Sequence, residues 1–477
     1  MSTDRAGGAA GDARLERQRA GFRRLSLGVI VALALVAGGL GAVNAAQGPR
    51  LSSTELNPQA LVTRAGQRVV LHADQPLAEL SAAALTISPA TDATVSVDQG
   101  TATIRFGRML DYATRYTIRL EVRGAATGTG AALEFSFTTP DVEVYSLLRH
   151  DPDAPGEPDR ILRSGLADAG SGGTVFEAPR IQDYVALREL LAVITLDERD
   201  VPALTVISPA EGVRVPIDVG GAATVRELHA AGTGDLFGYI LDAGYGAPDG
   251  PRNTLFLYDL TDATGVPAPV TGFGGAPLEV MSWTFVPGTT SIVAQGLDQQ
   301  LYLIDPLGGG DPTPLGQHVG MQGFVPGTTQ LVVVDPTGSS VIDLADGSTT
   351  PLELPEPKPQ SDRYPGKRVP LDERTDVQLF TRLEPGAPSE ERSSSLVLSD
   401  ADGERELFRT SSPGSWVRDF CLSPNGEYLA VEVVSGEGRP DNYPIEYGFS
   451  ATSIRFVRIA DGSSDRGVRG FLPDWCR

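Results

Sequence analysis

Phe285-Val286-Pro287-Gly288-Thr289-Thr290 recurs as Phe324-Val325-Pro326-Gly327-Thr328-Thr329, 39 residues further on. An identical hexapeptide at that distance marks a repeat architecture, in which each period is one supersecondary unit stacked on its neighbours. A third, looser copy reads Phe420-Cys421-Leu422-Ser423-Pro424-Asn425-Gly426-Glu427-Tyr428-Leu429-Ala430-Val431. In each copy an apolar strand ends, a Pro-Gly or Asn-Gly turn follows, and a second apolar strand begins. Asn-Gly suits a tight hairpin because both central residues can take positive φ.

The third copy resembles the W-S-P-D-G-x-x-L-A repeat of TolB-type β-propellers. The resemblance implies four-stranded blades arranged around a channel. Working outward from the repeats, RIQDYVAL, LLAVITLD, ALTVIS and VRVPID (180–218) predict one blade, and TVRELHA, LFGYILDA, TLFLYDL and APVTGF (224–273) the next. The two hexapeptide units follow, then a less regular unit over about 355–410, then a unit opening with SWVRDFCLS (415–423). Two ends remain. VEVYSLLRH (142–150), DRILRS (159–164) and TVFEA (174–178) lack an inner partner, and FLPDWC (471–476) lacks a blade. Combined, they make a seventh blade and leave the ring of 141–477 without a free edge. Seven blades are favoured, with six or eight left open. Cys421 and Cys476 then fall at equivalent inner-strand positions of the last and the closing blade. A disulfide between them is expected in an oxidising compartment. Two buried thiols are the alternative, because inner-strand spacing can exceed the ~7 Å that a disulfide tolerates.

Ahead of the propeller, RVVLHA (68–73), LTIS (85–88), TVSVD (94–98), TATIRF (101–106), YTIRLEV (116–122) and LEFSFTT (133–139) alternate with period two between turns. Leu110-x-x-x-Thr114-x-Tyr116-x-Ile118-x-Leu120 has the spacing of a tyrosine corner, in which the phenol bonds back to an upstream backbone group. Residues 50–140 resemble the bacterial Ig-like domains of surface-layer proteins, which close with a strand like Phe137-Thr138-Thr139. Tyr112 stands where that pattern usually has Pro, and no Cys or Trp pins the sandwich in the antibody manner. The resemblance implies a spacer or adhesion module.

Leu25 to Ala46 holds no charged residue. As a helix its 22 residues would be about 33 Å long, enough to cross a bilayer core. Arg23 and Arg24 precede it, so the positive-inside rule predicts a cytoplasmic basic tail at 1–24, an uncleaved single-pass membrane anchor, and the bulk of the chain outside. The alternative is secretion after cleavage near Val43-Asn44-Ala45. Seven Arg against Asp4, Asp12 and Glu16 give residues 1–50 a net +4, so the remainder carries −22 − 4 = −26. Such acidity repels phosphate backbones and argues against a nucleic-acid partner. Gly and Pro total 55 + 36 = 91 residues, which suits a folded chain with many turns.

A search for chemistry assigns no catalytic, cofactor or metal residue. His72, His150, His229 and His318 do not pair at metal-ligand spacing, there is no H-E-x-x-H, and two isolated Cys make no zinc site. No G-x-S-x-G nucleophile elbow occurs. Gly232-x-Gly234-x-x-x-Gly238 reads as a hairpin, and Asp151-to-Asp159 as an acidic turn lacking the alternating ligands of a calcium loop. Trp283, Trp416 and Trp475 lie on inner strands, where they pack between blades or line the channel mouth. The expectation is a non-catalytic, membrane-tethered binding or scaffolding protein of the cell envelope, with another envelope protein or a cell-wall component as partner and no cofactor. A carbohydrate- or peptide-recognising receptor is the first alternative. An enzyme with its site at the channel mouth is the second.

Overall fold

The computed structural model describes residues 47–476 apart from 82–83, 152–155, 168–171, 222–223, 245–246, 248, 356–362, 384–391 and 465, together with 25, 27–36 and 39. The chain is all-β and divides into two compact units.

The first unit takes in the described residues up to Asn57, Gln67–Gly107 and Arg115–Thr138. One sheet orders Leu51–Glu55, Arg68–Ala73, Thr101–Phe106 and Ala93–Asp98; the other orders Leu85–Ser88, Arg115–Arg123 and Gly130–Thr138. Arg115–Arg123 alternates exposed and buried residues along its whole length, and Tyr116, Ile118, Leu120 and Val122 form its inward face. This is the period-two pattern of a strand with one solvated face. Leu51–Glu55, absent from the sequence expectation, carries one apolar residue in five and is an edge strand.

The second unit is a β-propeller. Among the described residues it holds seven antiparallel sheets, the first of three strands and the others of four, each built from consecutive strands. Each four-stranded sheet starts with the strand nearest the axis: Ile181–Leu187, Thr224–Ala230, Val280–Phe285, Gly320–Phe324, Arg363–Pro370 and Trp416–Leu422. The next strand is almost wholly apolar in several of these sheets, as in Leu236–Asp242 or Leu190–Leu196, and forms the interior between sheets. Strands buried on both faces need this composition.

The repeated turn explains itself at atomic scale. Gly288, Gly327 and Gly426 all adopt φ +72, a conformation that favours glycine. Thr289 and Thr328 each donate a hydroxyl to the carbonyl three residues back, at 3.0 and 2.8 Å. In the third copy Ser423 and Asn425 fill this role with side-chain bonds to Tyr428 and Glu427. Only the glycine is left-handed, so the turn is not the hairpin with two positive-φ residues that Asn-Gly suggested.

Two short segments, Pro58–Gly66 and Arg108–Thr114, belong to the second unit although they lie within 50–140 of the sequence. Val62 and Tyr112 join a buried cluster with Val144, Ala430, Ile454 and Phe456. The Tyr112 N–H donates to Glu427 at 2.8 Å, and the Asn425 amide donates to the Leu110 carbonyl at 3.0 Å.

The C-terminal residues meet the first sheet. Leu147 and Phe471 exchange both backbone hydrogen bonds, each 2.9 Å. The run FLPDWC is not the full strand expected: Leu472 takes φ +52, Pro473 has no N–H to give, and Asp474–Cys476 turns into a 3-10 helix.

The membrane anchor requires correction. No helix among the described residues is long and apolar enough to cross a membrane. Within Leu25 to Ala46, the continuous described helical run is 27–36, about 15 Å against a hydrocarbon core of roughly 30 Å. Residues 26, 37–38 and 40–46, including the cleavage motif Val43-Asn44-Ala45, lie outside the described residues, as does the basic tail 1–24.

Candidate functional site: a cavity lined by the inner strands

All six four-stranded sheets of the second unit share one irregularity. The register between the innermost strand and the next shifts once, at Ile181/Asp183, Arg226/His229, Val280/Ser282, Met321/Gly323, Pro365/Arg368 and Val417/Asp419. A bulge inserts an unpaired residue and re-aims its side chain. The inserted residues include Gln182, Glu227 and Arg418, and these three line one cavity of about 490 Å³. Five inner strands contribute to it, with Ser282 and Met321 from the other two. Glu227 itself holds φ +50.

The electrostatics of the cavity are mixed. Arg418 donates to Glu432 at 2.6 Å and lies 3.7 Å from Glu446. Burial works against its charge, but the two carboxylates outweigh burial and hold the guanidinium above its ordinary value. Desolvation raises Glu432 above the usual carboxylate range, opposed by Arg418 and by the Leu472 N–H, which donates to it at 2.8 Å. Arg226 reaches Asn253 at 3.0 Å and the Met281 carbonyl at 3.2 Å.

Gln182 stands apart. It is 1% exposed, and neither the nitrogen nor the oxygen of its amide has a hydrogen-bond partner. An unmade bond at such a depth costs roughly 1–3 kcal/mol, and Gln182 is among the residues that border the cavity.

The residues singled out from the sequence scatter. Trp283 is buried between sheets, donates its indole N–H to the Glu227 carbonyl at 3.0 Å, and borders the cavity. Gly238 makes room for it: a Cβ there would lie 2.7 Å from the indole. Trp416 packs edge-on against Phe449 beside the cavity, in an adjoining hollow. Trp475 stacks near Tyr112 and Phe456 instead. Of the histidines only His229 reaches the cavity; His72 bonds Glu55 and Thr101, His150 bonds Asp159, and His318 bonds Asp335. Asp159 is engaged by the His150 N–H and ring, the Ile181 N–H and the Tyr443 hydroxyl, while 152–155 of the acidic turn lie outside the described residues. Gly234, at φ +75, sits in the hairpin between Thr224–Ala230 and Leu236–Asp242. Cys421 and Cys476 form a disulfide with Cα atoms 5.5 Å apart, and Cys476 borders the cavity. Among the described residues no group of three or more His, Cys, Asp or Glu could hold a metal ion. Sequence reasoning missed Gln182, Glu227 and Arg418, because a bulge leaves no mark in composition.

No family model and no curated protein matches this chain. Solved structures similar to it are β-propellers. The propeller domain of the Trilobed protease from Pyrococcus furiosus, described as having an open velcro topology, matches at 10% identity over 75% of this chain and 92% of that one, with a TM-score of 0.42. TolB from Acinetobacter baumannii matches at 10% identity over 82% and 85%, TM-score 0.32. A prolyl endopeptidase matches at 14% identity over 70% of this chain and 49% of its own, TM-score 0.44. The expectation of a non-enzyme is corrected by these matches, since propeller-bearing peptidases stand among the structural neighbours. At such identities the likeness concerns the fold alone, which hosts both binding and catalysis.

Proposed function

We propose that this chain is a peptide-binding protein whose site is the inner-strand cavity of a seven-bladed propeller, accompanied by an Ig-like sandwich. The seven sheets and the bond pair between Leu147 and Phe471 support a seven-bladed ring closed from both ends. Seven antiparallel strands in sheets of four and three, with Tyr116 buried against Phe137, support the sandwich. The observation that carries the binding reading is Gln182. A propeller interior that leaves a fully buried amide unpaired beside a cavity retains a polar deficit that a ligand can satisfy.

The test is a thermal-shift screen of the full chain against short peptides, run beside Thr284→Trp, which fills the cavity from its wall. A ligand at 100 times its dissociation constant adds about 2.7 kcal/mol to stability. Such a ligand is expected to raise the midpoint of the wild type and leave Thr284→Trp unmoved. Equal shifts in both proteins would place binding elsewhere and end the reading.

A further inference from the structure

We propose that the Cys421–Cys476 disulfide is an exchange site, opened at Cys476 by small thiols while the chain stays folded. This chemistry is independent of whatever else occupies the cavity.

The two sulfurs stand in different surroundings. Cys421 is half-buried on the inner strand Trp416–Leu422 and packs against the buried cluster of Tyr112, Ala430, Ile454 and Phe456. Cys476 is exposed, and of the two it alone borders the cavity of about 490 Å³. Exchange begins with attack of a thiolate on the sulfur that it can reach. Access therefore directs attack to Cys476 and makes Cys421 the leaving group. Exposed disulfides are the labile ones, whereas shielded disulfides persist.

Opening the bond needs no unfolding, because the chain end is held by other means. Leu147 and Phe471 keep both backbone bonds. The Tyr184 hydroxyl donates to the Leu472 carbonyl at 2.6 Å, the Leu472 N–H donates to Glu432 at 2.8 Å, and the Tyr145 N–H donates to Asp474 at 2.8 Å. Beyond Asp474 the hold is slighter. Trp475 rests on Phe456 with ring centres 5.3 Å apart, and the Cys476 N–H closes a single turn on the Pro473 carbonyl at 3.0 Å. A cut S–S bond thus frees a short terminal turn beside the cavity and leaves the pairing of Leu147 with Phe471 in place.

The thiolate bonds to the Cys476 sulfur, the S–S electron pair departs on Cys421, and the Cys421 thiolate takes up a proton. A mixed disulfide then caps Cys476. A second thiol, or the other arm of a dithiol, displaces it. The reductant leaves as a disulfide, two electrons poorer, and Cys476 becomes a thiol. The reverse sequence reseals the bond.

Dithiothreitol added to the folded full chain tests this, with freed thiols trapped by iodoacetamide and counted by mass spectrometry. Native-state exchange is expected at a rate proportional to the thiol, changing less than about 2-fold between no urea and about 2 M urea. Exchange that waits for unfolding would accelerate about 30-fold or more over that range, because denaturant raises the unfolded population. That result overturns the proposal, as does a bond that stays intact until the chain melts. The attacked sulfur is read from single variants. The Cys476 thiol in Cys421→Ser is expected to react with dithiobis(nitrobenzoate) about 10-fold or more faster than the Cys421 thiol in Cys476→Ser. Equal rates, or a faster Cys421, overturn the assignment to Cys476. The urea comparison uses the wild type, so it decides the matter even where a variant folds poorly.

Discussion

Leu147 and Phe471, 324 positions apart, form a reciprocal pair of backbone hydrogen bonds of 2.9 Å each. Around that pair the Tyr145 N–H donates to Asp474, the Tyr184 hydroxyl donates to the Leu472 carbonyl, and Ser146 donates to the Arg469 carbonyl. Gly470 sits at φ +101, where a Cβ would lie 2.5 Å from the Leu147 carbonyl oxygen.

Deleting residues 471–477 should therefore cripple folding. Phe471 and Leu472 are buried, and losing each forfeits about 1.5–3 kcal/mol of apolar burial, before the broken backbone bonds and the disulfide are counted. Against a domain stability of about 5–15 kcal/mol the truncated chain is expected to aggregate or to unfold at much lower urea. The Cys421→Ser/Cys476→Ser double variant keeps the pairing and is expected to lose only about 2–4 kcal/mol. Urea titrations of the three proteins check the order; a truncated chain as stable as the wild type would refute the closure.

Asp474 predicts a pH dependence. Burial raises its carboxyl to about 7. A carboxyl whose folded pKa is raised binds its proton more tightly when folded, so its contribution is most favourable below about 3.8 and is lost as pH climbs to about 7. Part of the residue still meets solvent, which reduces the effect to ~1–3 kcal/mol. Asp474→Asn keeps an acceptor for the Tyr145 N–H and removes the titration. The stability gap between variant and wild type should move in favour of the variant from pH 5.5 to 8, and a gap independent of pH would refute the assignment.

Arg149 and Asp441 form an ion pair of 2.7 Å with both side chains 2% exposed. Arg149 also donates to the Ile181 and Gln182 carbonyls and lies 3.7 Å from the centre of the Tyr443 ring. Arg149→Met should cost about 3–5 kcal/mol, because it strands the Asp441 charge. Arg149→Met/Asp441→Asn should be milder than the single change, as read from urea midpoints. A double variant worse than the single one would mean that Asp441 is not stranded.

The strands were legible because alternation and apolar runs are imprinted residue by residue, as in Tyr116 to Val122 or Leu190 to Leu196. The repeated turn was legible in position, and its geometry only partly, since Asn425 works through its side chain and not through a left-handed backbone. The site was not legible. Asp183, Glu227 and Glu446 share no spacing, and three-dimensional closure alone brings them to one cavity. Leu61, Val62 and Tyr112 sit within a run that reads as part of the sandwich, yet they are counted with the propeller unit through its buried contacts.

The bond pair of Leu147 and Phe471 also sets an order of events during synthesis. The first sheet leaves the ribosome early, but the bond pair on its Leu147 edge is completed only by a residue made 324 positions later. At about 5–20 residues per second, the 324 positions between them take on the order of 15–65 s. For that interval Glu143–Leu148 presents a bare strand edge beside six sheets still being added. The nascent chain is most vulnerable to mispairing with a second copy of itself in this window, so crowded polysomes are where its yield would be decided.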